Sequence, residues 1–358
     1  SHLNTAFIYL IYYIKKNNIM IKKIINLTIY IFSGAFSLTI NVPEDFLDIQ
    51  DAIDFSQDGD TIFVSPGVYF ENINFNGKSI LVSSNYIEDN DSLLIGVTII
   101  DAGNEGSVVT FNSGENNNAI LQGFTLQNGN GNDEDPDNNG SFYTYGGGIY
   151  CENSDPLIKD CIIQNNTANE GGGAGIFCYD SSPIFFGCTI KENETDDVGG
   201  GLYARDGSSP SFFDCIFMDN TAEFGGGCYL KSSSSPLMEN VVFMQNNANN
   251  SGGGIGLKDD ANIEASNLTI SENLAEGLGG GLYINNADPT FSFALIVDNT
   301  ASSGAGIYIR NNSEIDLTNI TLANNNAGLY GGGVYMRDNV TVNFTNSVLW
   351  NNGSNQIY

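Results

Sequence analysis

The chain has 358 residues, with 42 acidic and 12 basic side chains, one histidine and a formal net charge of −30. So few lysines and arginines exclude nucleic-acid binding through a basic face, because phosphate neutralisation needs cations. The excess of carboxylates favours solubility and is compatible with cation binding.

Residues 1–37 are predicted to be a leader outside the fold. Residues 20–37 have the three parts of a secretory signal peptide: Met20 with two lysines, an apolar run, and small residues near Ser37. The run is short for a membrane span, and residues 1–19 are interpreted as upstream translation or part of a longer leader. We expect a secreted or cell-surface, outer membrane-associated protein with no transmembrane span in the mature chain. The single histidine, His2, lies in this leader.

Residues 38–358 are predicted to form one domain, in which residues 38–128 are an N-terminal cap and irregular coils. From Pro43 to Asp54, Phe46, Ile49 and Ile53 recur on one helical face, so a short helix would cover the first coil. Six less regular strands are predicted after it: 61–64, 68–72, 80–83, 98–101, 108–111 and 119–126.

Residues 129–145 are predicted to be an inserted acidic surface loop. Its carboxylates, Asp133, Glu134, Asp135 and Asp137, are dense enough in oxygen to suggest a Ca²⁺ site. They lack an EF-hand arrangement, so a flexible solvated loop is the competing interpretation. No cofactor is otherwise required.

Residues 146–358 are predicted to be regular repeats. Gly-(Gly or Ala)-Gly followed by an aliphatic residue or Cys recurs eight times at spacings of 25 to 27 residues, which is typical of a solenoid. The copies begin at Gly146, Gly173, Gly199, Gly225, Gly252, Gly279, Gly304 and Gly331. The end of the chain carries no capping signal, so we expect it to stop mid-solenoid.

Each repeat contains three short segments in which apolar residues alternate, and helical crossovers are absent. Three segments and three corners per coil of about 26 residues predict an all-β fold, a right-handed parallel β-helix of triangular section. We expect a monomer.

Two further columns are predicted to be structural. An asparagine follows the third segment of each repeat, and its amide can bond to the coils above and below. The six cysteines fall mostly into two columns, where stacked strands hold them wider apart than a relaxed disulfide allows, so buried free thiols are favoured.

Two columns face outward from the first segment. The first is an aromatic ladder with one gap at Gly256, and the second holds five of the eight basic residues that follow residue 37. Exposed tyrosines that shield the sheet are one interpretation. The other is a binding strip for an extended partner, with rings stacking on sugars and cations holding carboxylates. Its candidate residues are Tyr203, Arg205, Tyr229, Lys231, Lys258, Tyr283, Tyr308, Arg310, Tyr335 and Arg337.

The repeats, as in Phe217 to Asn220 followed by Gly225 to Gly227, resemble those of chlamydial polymorphic outer membrane proteins and secreted bacterial β-helix surface proteins. The segments from Ile49 to Ile53 and Pro66 to Tyr69 are similar to the cap of pectin-lyase-like proteins. The resemblance implies export and the β-helix fold, within a superfamily that mixes lyases, hydrolases, esterases and adhesins.

By that resemblance a lyase would need an Arg or Lys base with acidic Ca²⁺ ligands, and a hydrolase a set of aspartates. The candidates are the pairs Asp196–Asp197 and Asp259–Asp260, close to Arg205 and Lys258. Adjacent carboxylates at coil corners are more often solvated. We therefore expect a non-catalytic binding or adhesin-type protein for a polysaccharide or cell-surface ligand. The alternatives are a lyase or glycoside hydrolase acting on uronate-containing polysaccharide, and a structural spacer.

Overall fold

The computed structural model describes residues 37–86, 92–135, 140–353 and 355–358. These residues form a parallel β-solenoid of about 10 turns with roughly 27 residues per coil, which confirms the predicted fold. The predicted signal peptide and the residues before it lie outside the described residues, apart from Ser37.

The strands stack into four parallel sheets. Sheet 1 contains Thr39–Val42, Thr61–Val64, Leu81–Ser84, Ile120–Gln122, Leu157–Lys159, Ile184–Phe186, Ser211–Phe213, Leu237–Glu239, Glu264–Ser266, Thr290–Ser292, Glu314–Thr318 and Thr341–Thr345. Sheet 2 contains Ile73–Asn74, Val109–Phe111, Ile149–Glu152, Ile176–Tyr179, Leu202–Arg205, Cys228–Lys231, Ile255–Lys258, Leu282–Asn285, Ile307–Arg310 and Val334–Arg337. Sheet 3 contains Gly67–Phe70, Thr98–Asp101, Thr125–Gln127, Ile162–Gln164, Thr189–Lys191, Ile216–Met218, Val242–Met244, Thr269–Ser271, Leu295–Val297, Thr321–Ala323 and Val348–Trp350.

Sheet 4 lies between sheet 3 and sheet 2 in each regular coil and was not predicted. Its strands are Thr167–Ala168, Glu194–Thr195, Thr221–Phe224, Asn247–Ser251, Leu274–Ala275, Thr300–Ser303 and Asn326–Tyr330. Isolated bridges extend the sheet towards the glycine corner, as between Val198 and Phe224. The section of a regular coil therefore has four sides rather than three.

The core fills the inside of the solenoid, because alternate residues of sheets 1, 2 and 3 point inward. The inward column that starts at Ile149 is fully buried down to Val334. Phenylalanines of successive coils stack face to face, with ring centroids 4.8 Å apart for Phe185 and Phe212. Each coil thus buries its apolar side chains against its neighbours, as the repeat predicts.

The asparagine column is buried and hydrogen-bonded from coil to coil, as predicted. The Asn220 amide donates to the carbonyl of Ile190 and to Oδ1 of Asn246, both at 3.0 Å. The Asn220 side-chain oxygen accepts from the backbone N–H and the amide of Asn193. Every polar atom of this side chain is therefore used inside the core.

The glycine corner brings neighbouring coils too close for a side chain. At Gly199 the backbone has φ +68°, and an added Cβ would meet the carbonyl oxygen of Leu202 at 2.3 Å. At Gly201, which has no such φ, a Cβ would meet the oxygen of Gly227 at 2.4 Å. Both contacts are with backbone, so a larger residue would have to move the corner itself.

Helix α1, Ile49–Phe55, covers the N-terminal end of the solenoid and buries Ile49, Ala52 and Ile53. It is shorter than predicted, since Phe46 packs on the core from outside the helix. The Glu71 carboxylate accepts hydrogen bonds from the first backbone N–H groups, those of Ile49 and Gln50. At the other end Lys78 donates to the carbonyls of Ile53, Asp54 and Ser56.

Two predictions for the irregular part need correction. The segment 119–126 contains two strands in different sheets, because the chain turns at Gly123, which has φ +81°. The insertion 129–145 contains an antiparallel hairpin, Asn132–Glu134 with Tyr143–Tyr145. A 3-10 helix, Ser92–Val97, precedes sheet 3 strand Thr98–Asp101.

The six cysteines are all free and buried, as predicted. Burial raises the pKa of the Cys228 thiol well above its ordinary value. A thiol of this kind is neutral and inert, so Cys228 acts here as a small core side chain.

Candidate functional site

The aromatic ladder on the outer face of sheet 2 is buried, and its prediction as an exposed surface was wrong. The exposed fractions of Tyr203, Tyr229, Tyr283 and Tyr308 are 6% or less, and only Tyr335, near the last coil, is half-buried. The rings contact one another along the solenoid, with centroids 5.5 Å apart for Phe177 and Tyr203. These rings are therefore not available as open stacking platforms.

Sheet 4 covers the ladder. Side chains at its edge, including Val198 and Phe224, pack on the rings of sheet 2, and Phe224 lies 6.3 Å from Tyr229 between centroids. Sheet 4 thus lies against the outer face of sheet 2. At Gly256, the gap in the ladder, the ring of Tyr229 leans over the backbone, and a Cβ would meet it at 2.8 Å.

The basic column next to the ladder is largely neutralised by its own neighbours. Arg205 pairs with Asp206, Lys258 with Asp259 at 3.9 Å and Arg337 with Asp338 at 3.1 Å. Each partner is the next residue, at the corner that ends the strand. These three side chains therefore do not provide the continuous strip of free cations that the sequence predicts.

Lys231 and Arg310 are followed by Ser232 and Asn311 instead of aspartate. The guanidinium of Arg310 lies over the ring of Tyr283, 5.5 Å from its centroid, and burial is the main cause that raises the pKa of Tyr283. Within the described part of the chain, neither Lys231 nor Arg310 has a carboxylate within ion-pair distance.

A groove of about 490 Å³ lies between sheet 2 and sheet 4. It brings together three residues of the predicted binding strip, Tyr203, Arg205 and Lys231, and the predicted pair Asp196–Asp197. Its other lining residues are Tyr143, Tyr145, Glu170 and Gly171. The remaining strip residues, from Tyr229 and Lys258 to Arg337, belong to the same two columns but do not line the groove, and neither does the pair Asp259–Asp260.

Asp197 is the residue whose position changes most from the prediction of a solvated corner. It is half-buried, and desolvation together with the nearby Asp196 carboxylate raises its pKa to about 6, although Lys231 opposes this shift. Asp196 is exposed and accepts a hydrogen bond from the N–H of Glu170 at 2.8 Å. Asp197 is therefore partly protonated near neutral pH and can donate or accept a hydrogen bond in the groove.

The hairpin forms the N-terminal end of the groove. Tyr143 and Tyr145 come from its second strand, and the Tyr145 ring packs on Phe177 at 4.6 Å between centroids. Alternating Tyr-Thr-Tyr at residues 143–145 was a strand signal, and the polar composition of the preceding residues obscured it.

The predicted Ca²⁺ ligands lie on and after the first hairpin strand. Asp133 and Glu134 are successive strand residues, so their side chains point to opposite faces. Asp137 lies outside the described residues. Among the residues that are described, no group of three or more His, Cys, Asp or Glu side chains is placed to hold a metal ion. Calcium binding here stays a prediction.

The chain belongs to the family described as right handed beta helix region, whose sequence pattern matches residues 50–212, 116–257 and 200–358. Among solved structures it is similar to the crystal structure of pectate lyase Pel9A, with 14% identity, a TM-score of 0.48, and coverage of 88% of this chain and 80% of that one. No curated protein is similar enough in sequence to match. In the ranges that the structure describes, no helix is long and apolar enough to cross a membrane.

Proposed function

We propose that this protein is a secreted or cell-surface binding module that holds a neutral glycan chain, without turnover, in the groove beside sheet 4. The observation that supports the proposal is the lining of the groove. Arg205 and Lys231 offer donors, Glu170 and Asp196 offer acceptors, and tyrosine rings edge the site. Sugar hydroxyls both donate and accept hydrogen bonds, so a lining of mixed character suits them.

The spacing of the coils supports an extended ligand that runs along the solenoid. Equivalent side chains of sheet 2 recur once per coil, at about 4.8 Å. One pyranose unit of an extended chain spans a similar distance, so successive sugars can meet successive coils in equivalent positions. An extended peptide advances about 3.3 Å per residue and would fall out of step.

Charge favours a neutral chain over an acidic one. Arg205 is paired with Asp206, while Glu170, Asp196 and Asp197 add carboxylates to the lining. Lys231 is the groove cation that could receive a uronate carboxylate. An acidic polysaccharide is therefore the competing ligand, and a purely structural spacer is the outcome if no glycan binds.

The test compares Lys231→Ala with a matched control, Lys191→Ala. Lys191 ends a strand of sheet 3, outside the groove lining, and pairs with Glu192 at 3.5 Å. On an array of xylan, mixed-linkage glucan, galactomannan, polygalacturonate and alginate oligosaccharides, we expect wild-type binding to neutral glycans. The loss of one charged hydrogen-bond donor should weaken that binding about tenfold in Lys231→Ala, with little change in the control.

Binding to the acidic glycans alone would show that the ligand is an acidic polysaccharide and not a neutral one. Equal losses in the two variants would place the ligand outside the groove. No binding to any glycan would overturn the proposed function.

Hydrolysis is a second candidate, favoured by one observation. Asp197 has a pKa raised to about 6 and lies in the groove with the Asp196 carboxylate, and two carboxyl groups in different environments are what general acid catalysis of glycoside cleavage requires. A protonated Asp197 would donate to the leaving oxygen, so activity should fall as the pH rises above about 6.

The measurement is release of reducing ends from xylan and polygalacturonate by wild type and Asp197→Asn. Hydrolysis predicts release that Asp197→Asn lowers at least about a hundredfold. Asp259→Asn, at a corner outside the groove, is the matched control and should keep the wild-type rate. No release by the wild type would leave the binding role, whereas unsaturated ends would indicate a lyase.

A further inference from the structure

The hairpin that ends the groove also covers the face of sheet 2 beyond it. Thr110 is the register partner of Tyr150, so it occupies the aromatic column one coil towards the N-terminus. The Asn132 amide of the hairpin donates to Thr110 Oγ1 at 3.1 Å, and Asn132 Oδ1 accepts from the N–H of Ser107 at 3.1 Å. The hairpin is thus bound directly onto the aromatic column at this coil.

The hairpin meets the basic column as well. Glu152 holds the position in its strand that Arg205 and Lys231 hold in theirs. Burial, and secondly the Glu152 carboxylate, raises the pKa of Glu134 of the hairpin, and the Tyr150 hydroxyl donates to Glu152 at 3.2 Å. Both outward columns of sheet 2 are therefore occupied at the N-terminal end of the groove.

The opposite end of the groove is not covered in this way. The exposed fraction of the side chain in the basic column is 10% at Arg205 and 41% at Lys258, whereas Asn285 in the following coil is buried. A chain that lies on this face can continue over the coil of Lys258. It cannot continue past the hairpin.

Resting on the proposed function, we infer that the groove receives the end of a glycan chain rather than its middle, with the hairpin as the wall against which the terminal sugar stops. The hairpin residues that line the groove, Tyr143 and Tyr145, form the surface of this wall. A site closed on one side distinguishes the two ends of a chain, because only one orientation places a free terminus against the wall.

The experiment uses cello-, xylo- and manno-oligosaccharides printed in pairs, each attached through its reducing end in one spot and its non-reducing end in the other. We expect the wild type to prefer one orientation at least about tenfold, since the other directs the linker into the wall. Comparable signals from both orientations would overturn the inference while the proposed function stands. No signal on any spot would overturn both.

A deletion variant tests the wall itself. Asn132 and Tyr145 are register partners, so a short Gly-Ser turn can replace residues 133–144 without stretching the chain. The deletion should bring the ratio of the two orientations close to one. Phe142→Ala is the matched control, because Phe142 is in the same insertion, 68% exposed and outside the groove lining, and it should keep the wild-type preference.

The intermediate variant Tyr143→Ala should lower the preference partially. If the deletion or Tyr143→Ala weakened both orientations equally, the hairpin would be a general contact and the end-wall role would be wrong. Circular dichroism and the urea midpoint of each variant identify any loss that comes from misfolding.

Discussion

Asparagine side chains connect the coils of this protein at one buried position per coil. Each amide replaces backbone partners that the corner between sheet 3 and sheet 4 leaves without a ladder, as when Asn246 donates to the carbonyl of Phe217 and to Asn273. An apolar residue of similar size would leave these groups without partners in a dry interior. Buried polar groups in that state are destabilising by about 1–3 kcal/mol each.

We predict that Asn220→Ala lowers the free energy of unfolding by at least about 3 kcal/mol, because it removes the partners of Ile190, Asn193 and Asn246 at once. The exposed Asn343 also makes two side-chain hydrogen bonds, to Glu314 and Asp316. Asn343→Ala should change stability by less than about 1 kcal/mol, because water replaces the lost partners. Urea unfolding of the two variants makes the comparison. Similar midpoints would show that the asparagine column contributes little.

At the level of elements, the three long sheets could be predicted from the sequence and sheet 4 could not. Apolar alternation over 3 to 5 residues identifies strands such as Ile307–Arg310, but Glu194–Thr195 is too short to alternate. Because the sequence pattern does not predict sheet 4, it places the tyrosine column correctly on the outer face of sheet 2 but incorrectly in contact with solvent. The face of a sheet that a side chain occupies depends on the alternation of residues along its own strand. Its burial depends on whether residues from elsewhere in the chain cover that face.

The groove was only partly predictable for the same reason. The period of the repeat placed Tyr203, Arg205 and Lys231 in neighbouring coils on one face. The contribution of Asp197 needed the bend of sheet 4 towards sheet 2, which no pattern in the sequence specifies. The contribution of Tyr143 needed the insertion to return as a strand.

For the molecule as a whole, the formal net charge of −30 produces self-repulsion that opposes the compact state. Raising NaCl from about 10 mM to about 150 mM shortens the Debye length from about 30 Å to about 8 Å. We therefore predict a higher thermal midpoint at the higher salt concentration, measured by circular dichroism.

Choline chloride should reproduce the effect of NaCl, since screening does not depend on the identity of the cation. A larger rise in CaCl₂ of equal ionic strength, abolished by Asp133→Asn with Asp135→Asn, would support the predicted calcium site. A midpoint that falls with NaCl would contradict dominant self-repulsion.

The common register of sheet 2 has a consequence for how such a protein can evolve. Every coil contacts the next through equivalent residues, as Ile307 to Arg310 contact Val334 to Arg337. After duplication or loss of one whole coil, the new contacts between coils would therefore use the same positions as the existing ones. The hairpin is anchored to one coil near the N-terminal end and would stay in place through such events. Descendants could therefore lengthen or shorten the face that extends from the wall by unequal recombination within the repeats, and change the length of chain they hold while they keep the residues that receive its end.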